Sequence, residues 1–351
     1  MSKFTIKLFS ALLILFWPLE IFAQTVFKAP DGVYTTREIR EKIEVGKRTI
    51  LQIKAASNLP GKLNIRVEKT DEVKIAYFKR AKASSMDDAV DFIDLIAVVL
   101  RSGPKDIKLE LRAPNPAPWK NENQWGEVEA KITIPEGYSV LIKAPLFDIT
   151  AEGPFESMEI PSSLGRITIT NVTRKLDVST ANRRLEVADI TGEIYLSTSN
   201  SVLTAENLVS THKRADIESE NGDIRIEGFT GEFYVEGSYG RIHLSDFNIT
   251  GRRNIIKGMS GPIELEIVGI DHAQLRITNR FEDIEIILPD NTSAAFSLVV
   301  AEGGKIEVSN IDFKTELIEH NRMNLVSGNG KSIISSSVRG SGNIYIRGYD
   351  E

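Results

Sequence analysis

The feature that most restricts this chain is an internal repeat of apolar residues. From residue 140 onward, short runs alternate apolar and polar positions and are broken by Gly, Asn, Ser or Thr. That is the pattern of half-buried strands joined by turns. Five apolar positions recur at offsets 0, +2, +9, +11 and +14. They read Val140, Ile142, Ile149, Ala151 and Pro154, then, eighteen residues on, Met158, Ile160, Ile167, Ile169 and Val172. Two more steps of eighteen give Leu176, Val178, Leu185, Val187 and Ile190, then Ile194, Leu196, Leu203, Ala205 and Leu208. A step of twenty-one, with its surplus near Thr211–Lys213, leads to Ala215, Ile217, Ile224, Ile226 and Phe229. A return to eighteen gives Phe233, Val235, Ile242, Leu244 and Phe247. Two looser units begin at Asn254 and Leu275. Beyond them Ile306, Val308 and Ile311 fit the second half of a unit, and Ile344 with Ile346 fit a final one.

A unit of this length makes only short strands and corners, too little to bury its own apolar face. Units stacked ~4.8 Å apart let each strand pair with its copy, so that Leu, Val and Ile form continuous inner columns. The expected fold is therefore all-β: a single-stranded β-solenoid of about ten rungs, each 18–21 residues long. The corners agree with this. Asn182, Asn200 and Asn221 share one position, where an amide tolerates a left-handed bend and can ladder with its copies. Gly165, Gly222, Gly240 and Gly261 hold the next position, where a positive φ is expected. Arg183, Ser201 and Glu282 replace that glycine in other units, which predicts irregular turns there.

Residues 24–139 do not follow the template. Strand-like runs at Ile50–Lys54, Leu63–Val67, Val73–Phe78, Ile107–Arg112 and Val128–Ile134 make this a β-rich N-terminal segment. It holds one short helix, N-capped by Ser84 or Ser85, with an acidic first turn that suits the helix dipole. The segment is expected to lead into the solenoid of residues 140–351 and to cap it, because an open strand edge invites aggregation.

Residues 1–23 have the order of a secretory signal peptide: Lys3 and Lys7, the apolar run Leu8–Trp17, then a small residue, Ala23. The run stops at Pro18 and Glu20, well short of the ~20 residues a membrane-spanning helix needs. An exported product is expected, periplasmic, cell-surface or extracellular, with no integral membrane segment after cleavage. The absence of cysteine then means that this exported chain has no disulfides, thiolate zinc site or Cys nucleophile. Lys and Arg number 43 against 49 Asp and Glu, a net charge of −6, which gives no global basic field for nucleic acid.

Motifs of catalysis are sparse. The four histidines, His212, His243, His272 and His320, stand singly without metal-ligand spacing. Asp87, Asp91 and Asp94 share a helix face but lack a calcium-loop spacing, so they read as a solvated acidic face. No cofactor is expected. Glu264 and Glu285 are equivalent residues on neighbouring rungs, the one carboxylate pair that a glycan-cleaving site could draw on. Outward positions offer flat, mixed-charge surfaces with Tyr195 and Tyr234 in one column, and a proline-rich stretch, Pro114–Trp125, carries Trp119 and Trp125. These four aromatics are the candidate ligand contacts.

The phrases Gly165-Arg-Ile-Thr-Ile-Thr-Asn-Val, Glu220-Asn-Gly-Asp-Ile-Arg-Ile-Glu-Gly and Gly340-Ser-Gly-Asn-Ile-Tyr-Ile-Arg-Gly resemble the bacterial β-strand-repeat adhesin family, a domain of unknown function related to the head-GIN adhesins. The resemblance covers roughly residues 35–350 in layout and is closest from 140 to 270. It implies a surface or secreted binding role toward a cell-surface glycan or protein, and it brings no catalytic residues. Two alternatives stay open: a polysaccharide-acting β-helix enzyme, and a purely structural envelope protein. The oligomeric state is likewise open.

Overall fold

A computed structural model describes residues 25–119, 124–301 and 303–349. The expected signal peptide lies outside the described residues. Among those described, strands dominate, and they join in one continuous sheet of 28 strands with a single helix, Met86–Asp94. The expected all-β solenoid is what the chain forms.

The register is the one the repeat dictates. Met158 pairs with Leu176, Leu176 with Ile194, and Ile160 with Val178, all in parallel. Along the other flank Ile167 pairs with Leu185, then Leu203, Ile224, Ile242, Ile263 and Ile284 follow in line. These columns are almost completely buried. Long strands such as Leu185–Thr198 serve two successive turns of the solenoid, the first half on one flank and the second half on the other. The surplus near Thr211–Lys213 falls in the link between Leu203–Ser210 and Ala215–Ser219 and leaves the ladder intact.

The corners differ in mechanism from expectation. The amides do ladder: Asn200 Nδ2 donates to Asn182 Oδ1 at 3.2 Å, and Asn221 Nδ2 to Asn200 Oδ1 at 2.8 Å. The left-handed residues, however, form a separate column at the opposite corner: Asn171 (φ 60°), Asp189 (57°), Asn207 (54°), Gly228 (75°) and Asp246 (57°). There one extra residue bends the strand between its two flanks, and short polar side chains tolerate the bend. Gly165, Gly222, Gly240 and Gly261 do not need a positive φ at all. Their constraint is closeness: an added Cβ would stand 1.8–2.2 Å from a carbonyl oxygen of the rung beneath.

Both ends of the stack are laid out of sequence order. Ile50–Ala55 pairs in parallel with Ser139–Lys143 on one side and Asp106–Arg112 on the other. Gly61–Glu68 likewise lies between Phe147–Ser163 and Trp125–Pro135. The N-terminal segment thus supplies rungs, and it also closes the end: Glu72–Lys82 covers Trp125–Pro135 antiparallel, and Ala97–Ser102 covers Asp106–Arg112. At the C-terminal end Ser332–Val338 inserts between Gln274–Asn279 and Ala294–Val300. Ile344 therefore stacks on Ile284, with Ile306 beyond it, so the last unit in sequence is not the last in space. Arg322–Ser327 then covers Ala294–Val300 antiparallel.

The helix packs on the N-terminal cap. Ser85 is the N-cap, its hydroxyl accepting from the Asp88 N–H at 3.1 Å, and Ala89, Phe92 and Ile93 are its buried side.

Candidate functional site

Parallel stacking turns equivalent outward residues into straight columns on the solvent side of the strands. One column runs Asp177, Tyr195, Asp216, Tyr234, Ile255, Arg276 in strict register. A second, two residues further along each strand, runs Glu218, Glu236, Lys257, Thr278. Outward side chains on this flank alternate with buried ones, mostly Leu, Ile, Val and Phe with Ala215 and Asn254 among them, so the geometry of the surface is set by the core beneath.

Tyr234 is the centre of this face. Its ring sits 4.7 Å from the Arg214 guanidinium and 4.8 Å from Lys257 Nζ, measured to the ring centroid. The phenol accepts from Lys257 Nζ at 2.8 Å and donates to the Glu236 carboxylate. Hydrogen bonding to Tyr234 holds the Lys257 ammonium above the usual lysine range, and partial burial with the Glu236 charge pushes the Tyr234 hydroxyl up. Tyr195, two rungs away across Asp216, has Lys175 Nζ 5.8 Å from its centroid. Four acidic groups here are already engaged: Asp177 with Lys175 (3.1 Å), Glu193 with Lys213 (2.8 Å), Asp216 with Arg214 (2.7 Å) and Glu232 with Arg253 (2.8 Å). Burial would raise the Glu232 carboxyl, but hydrogen bonds from Arg253 and the Arg252 N–H bring it below the ordinary value.

Toward the C-terminal end the face turns basic. A groove there is lined by Lys257, Arg276, Arg280, Phe281 and Arg339, with Glu236 its one acidic wall residue. A second groove, lined by Arg214, Arg252, Arg253 and Ile255, shares Arg276 with the first. The arrangement offers positive charge and an exposed ring, Phe281, side by side.

A family model described as Toastrack DUF4097 matches residues 60–347. The chain belongs to the Toastrack DUF4097 family. No curated protein matches it. Among solved structures it is similar to a candidate cell adhesion protein from Clostridium sporogenes, at 15% identity over 89% of this chain and 99% of that one, with a TM-score of 0.21. It is also similar to a candidate adhesin from Bacteroides fragilis, at 10% identity over 88% and 97%, TM-score 0.33. A third is a candidate lipid-binding protein from Parabacteroides distasonis, at 10% identity over 88% and 96%, TM-score 0.26.

Within the Toastrack stack the four aromatics anticipated from sequence fall into two places. Tyr195 and Tyr234 share the column above. Trp119 and Trp125 lie far from it, at the N-terminal cap. The Trp119 ring packs edge-on against Phe92 of the helix, with centroids 5.8 Å apart, and against Gly126; Trp125 is half-buried at the start of its strand, opposite Lys82. Glu264 and Glu285 do stand opposite each other on neighbouring rungs. Each is engaged on an open sheet: Glu264 by the Arg241 guanidinium (3.2 Å) and the His243 ring at Nδ1 (2.9 Å), Glu285 by the Arg347 guanidinium (2.9 Å). Among the described residues no group of three or more His, Asp or Glu side chains could hold a metal ion, and no helix is long and apolar enough to cross a membrane. The clustering of the basic groove's arginines escaped the sequence reading, because a net charge of −6 hides a local cluster whose members come from different rungs.

Proposed function

We propose that this Toastrack chain is an exported, non-catalytic binding module that offers the strand face around Tyr195 and Tyr234 to a cell-surface glycan or protein. The supporting observation is Tyr234 itself: a half-exposed ring held by Arg214, Lys257 and Glu236 on a rigid, flat, in-register sheet. Fixing a large amphipathic ring before a partner arrives lowers the ordering cost of binding. Trp125 adds a second contact at the far end of the stack. Trp119 contributes least, since its ring is spent on Phe92.

Fractionation of producing cells with surface-protease treatment tests the compartment, and binding of the purified mature chain to cells and isolated envelope tests the role. The chain is expected outside the cytoplasm, and Tyr234→Ala is expected to weaken binding about tenfold. A chain that stays in the cytoplasm, or binding that is indifferent to Tyr234→Ala and Tyr195→Ala, would overturn the proposal. Depolymerisation of a polysaccharide that vanishes on Glu264→Gln would favour an enzyme instead.

A further inference from the structure

Charge on this face is distributed unevenly, and the imbalance has a direction. Over the middle rungs Lys175, Lys213, Arg214, Arg253 and Lys257 each meet a carboxylate. From the rung of Lys257 onward, unpaired cations appear. Arg252, Arg276, Arg280 and Arg339 are exposed, and among the described residues none of them forms an ion pair. Arg280 and Arg339 hold the same position on successive rungs: Asn279 pairs with Val338, and the Arg339 N–H donates to the Asn279 carbonyl at 3.1 Å. Like charges directly opposite on paired strands repel, and the sheet fixes them one rung spacing apart, ~4.8 Å at the backbone. The Arg280 guanidinium rests 4.9 Å from the Phe281 centroid, and that ring is 44% exposed. Ile255 and Met259 complete an apolar strip beside the guanidinium groups.

Resting on the binding-module reading, we infer that the groove bordered by Arg276, Arg280 and Arg339 binds an acidic polysaccharide chain. Three observations together select this ligand class. Arg280 and Arg339 occupy equivalent positions on two neighbouring rungs, and Arg276 lies four residues from Arg280 on the same rung, so three separated guanidinium groups border one groove, which suits a polymer bearing carboxylates or sulfates at intervals better than a single anion. Phe281, Ile255 and Met259 offer apolar surface on which the C–H faces of sugar rings rest. The groove takes its lining from four successive rungs, those of Glu236, Lys257, Arg280 and Arg339, so it runs across the strands, the direction in which an extended chain would meet one rung after another. A second copy of this protein is the weaker occupant, because most carboxylates of this face, Asp177, Glu193, Asp216 and Glu232, are already paired with its own cations.

The experiment measures binding of the purified mature chain to immobilised polygalacturonate, to dextran, to polyglutamate and to phosphatidylglycerol vesicles, each at low and high salt. The wild-type chain is expected to bind polygalacturonate, not dextran, and to lose at least about tenfold in affinity at high salt. The triple variant Arg276→Ala, Arg280→Ala, Arg339→Ala is expected to lose binding by a similar factor while keeping its β-sheet circular dichroism and thermal midpoint. Arg276→Lys alone is a milder control that keeps the charge. Equal binding to polyglutamate overturns the sugar part of the inference, and binding to vesicles alone replaces the polysaccharide by a membrane surface. Preference for dextran overturns the acidic ligand yet leaves the binding module standing. Failure with all four probes overturns the inference, and the cell-binding assay above then decides separately whether the module reading survives.

Discussion

Gly240 lies directly over the carbonyl oxygen of Gly222, so close that a Cβ at Gly240 would stand 2.2 Å from it. Gly222 meets Ser201 and Gly261 meets Gly240 in the same way, at 1.8 and 2.0 Å. Gly240→Ala must therefore push two rungs apart, a backbone clash that no rotamer relieves. Chemical denaturation is expected to show a loss of about 3 kcal/mol. Gly137→Ala is the informative control: its φ is +74° but nothing lies within 4 Å, so only backbone strain of about 1 kcal/mol is expected.

Two asparagines separate ladder from anchor. Asn200 sits in the exposed amide ladder, and Asn200→Ala is expected to cost about 1 kcal/mol. Asn254 occupies an apolar column and is buried; its Nδ2 donates to the Thr250 and Gln274 carbonyls at 2.9 and 3.0 Å, and its Oδ1 accepts from the Phe233 N–H at 3.1 Å. Asn254→Ala orphans all three groups and is expected to cost about 3 kcal/mol, read from the denaturation midpoint. Equal effects at the two sites would contradict this.

Phe229, Phe233 and Phe247 form one buried cluster with centroids 5.1–5.4 Å apart, two pairs edge-on and one stacked. Phe247→Ala opens a cavity in the middle of the stack and is expected to cost about 4 kcal/mol, with Phe247→Leu losing less than half of that. Calorimetry of the two variants checks the ratio.

Lys79 is buried beside the helix, its Nζ 3.5 Å from the Ile93 carbonyl oxygen. Burial lowers its pKa from 10.5, more than Asp94 raises it. Between the lowered value and 10.5 the unfolded chain binds more protons than the folded one, so this group makes stability rise with pH across that window. Lys79→Met is expected to stabilise the fold at neutral pH and to abolish that rise, as denaturation midpoints measured across the alkaline range would show.

The repeat announced the register well. Leu176 on Ile194 and Ile167 on Leu185 follow from spacing alone, because a strand's period of two fixes which residues face inward and a constant step fixes which residues coincide. The N-terminal segment could be read only as strand-like runs off the template, among them Ile50–Lys54 and Leu63–Val67, which the structure uses as rungs. What spacing could not show was that Leu51 stacks on Val140, or that Ile344 stacks on Ile284 ahead of Ile306. The same pattern is satisfied by any order of similar strands.

The candidate site divides along the same line. The Tyr195–Tyr234 column could be written from the step of the repeat, and Arg276 falls in it. Arg280 and Arg339 are 59 positions apart in number and become neighbours only because Ser332–Val338 inserts beside Gln274–Asn279. By itself, then, the amino-acid pattern determined a solenoid, its inward columns and its outward ones, since those depend on local period and burial. Only the tertiary structure decided the order of the end rungs and hence the basic groove, because strand partners far apart in the chain are chosen by which edges remain to be covered, a property of the whole stack.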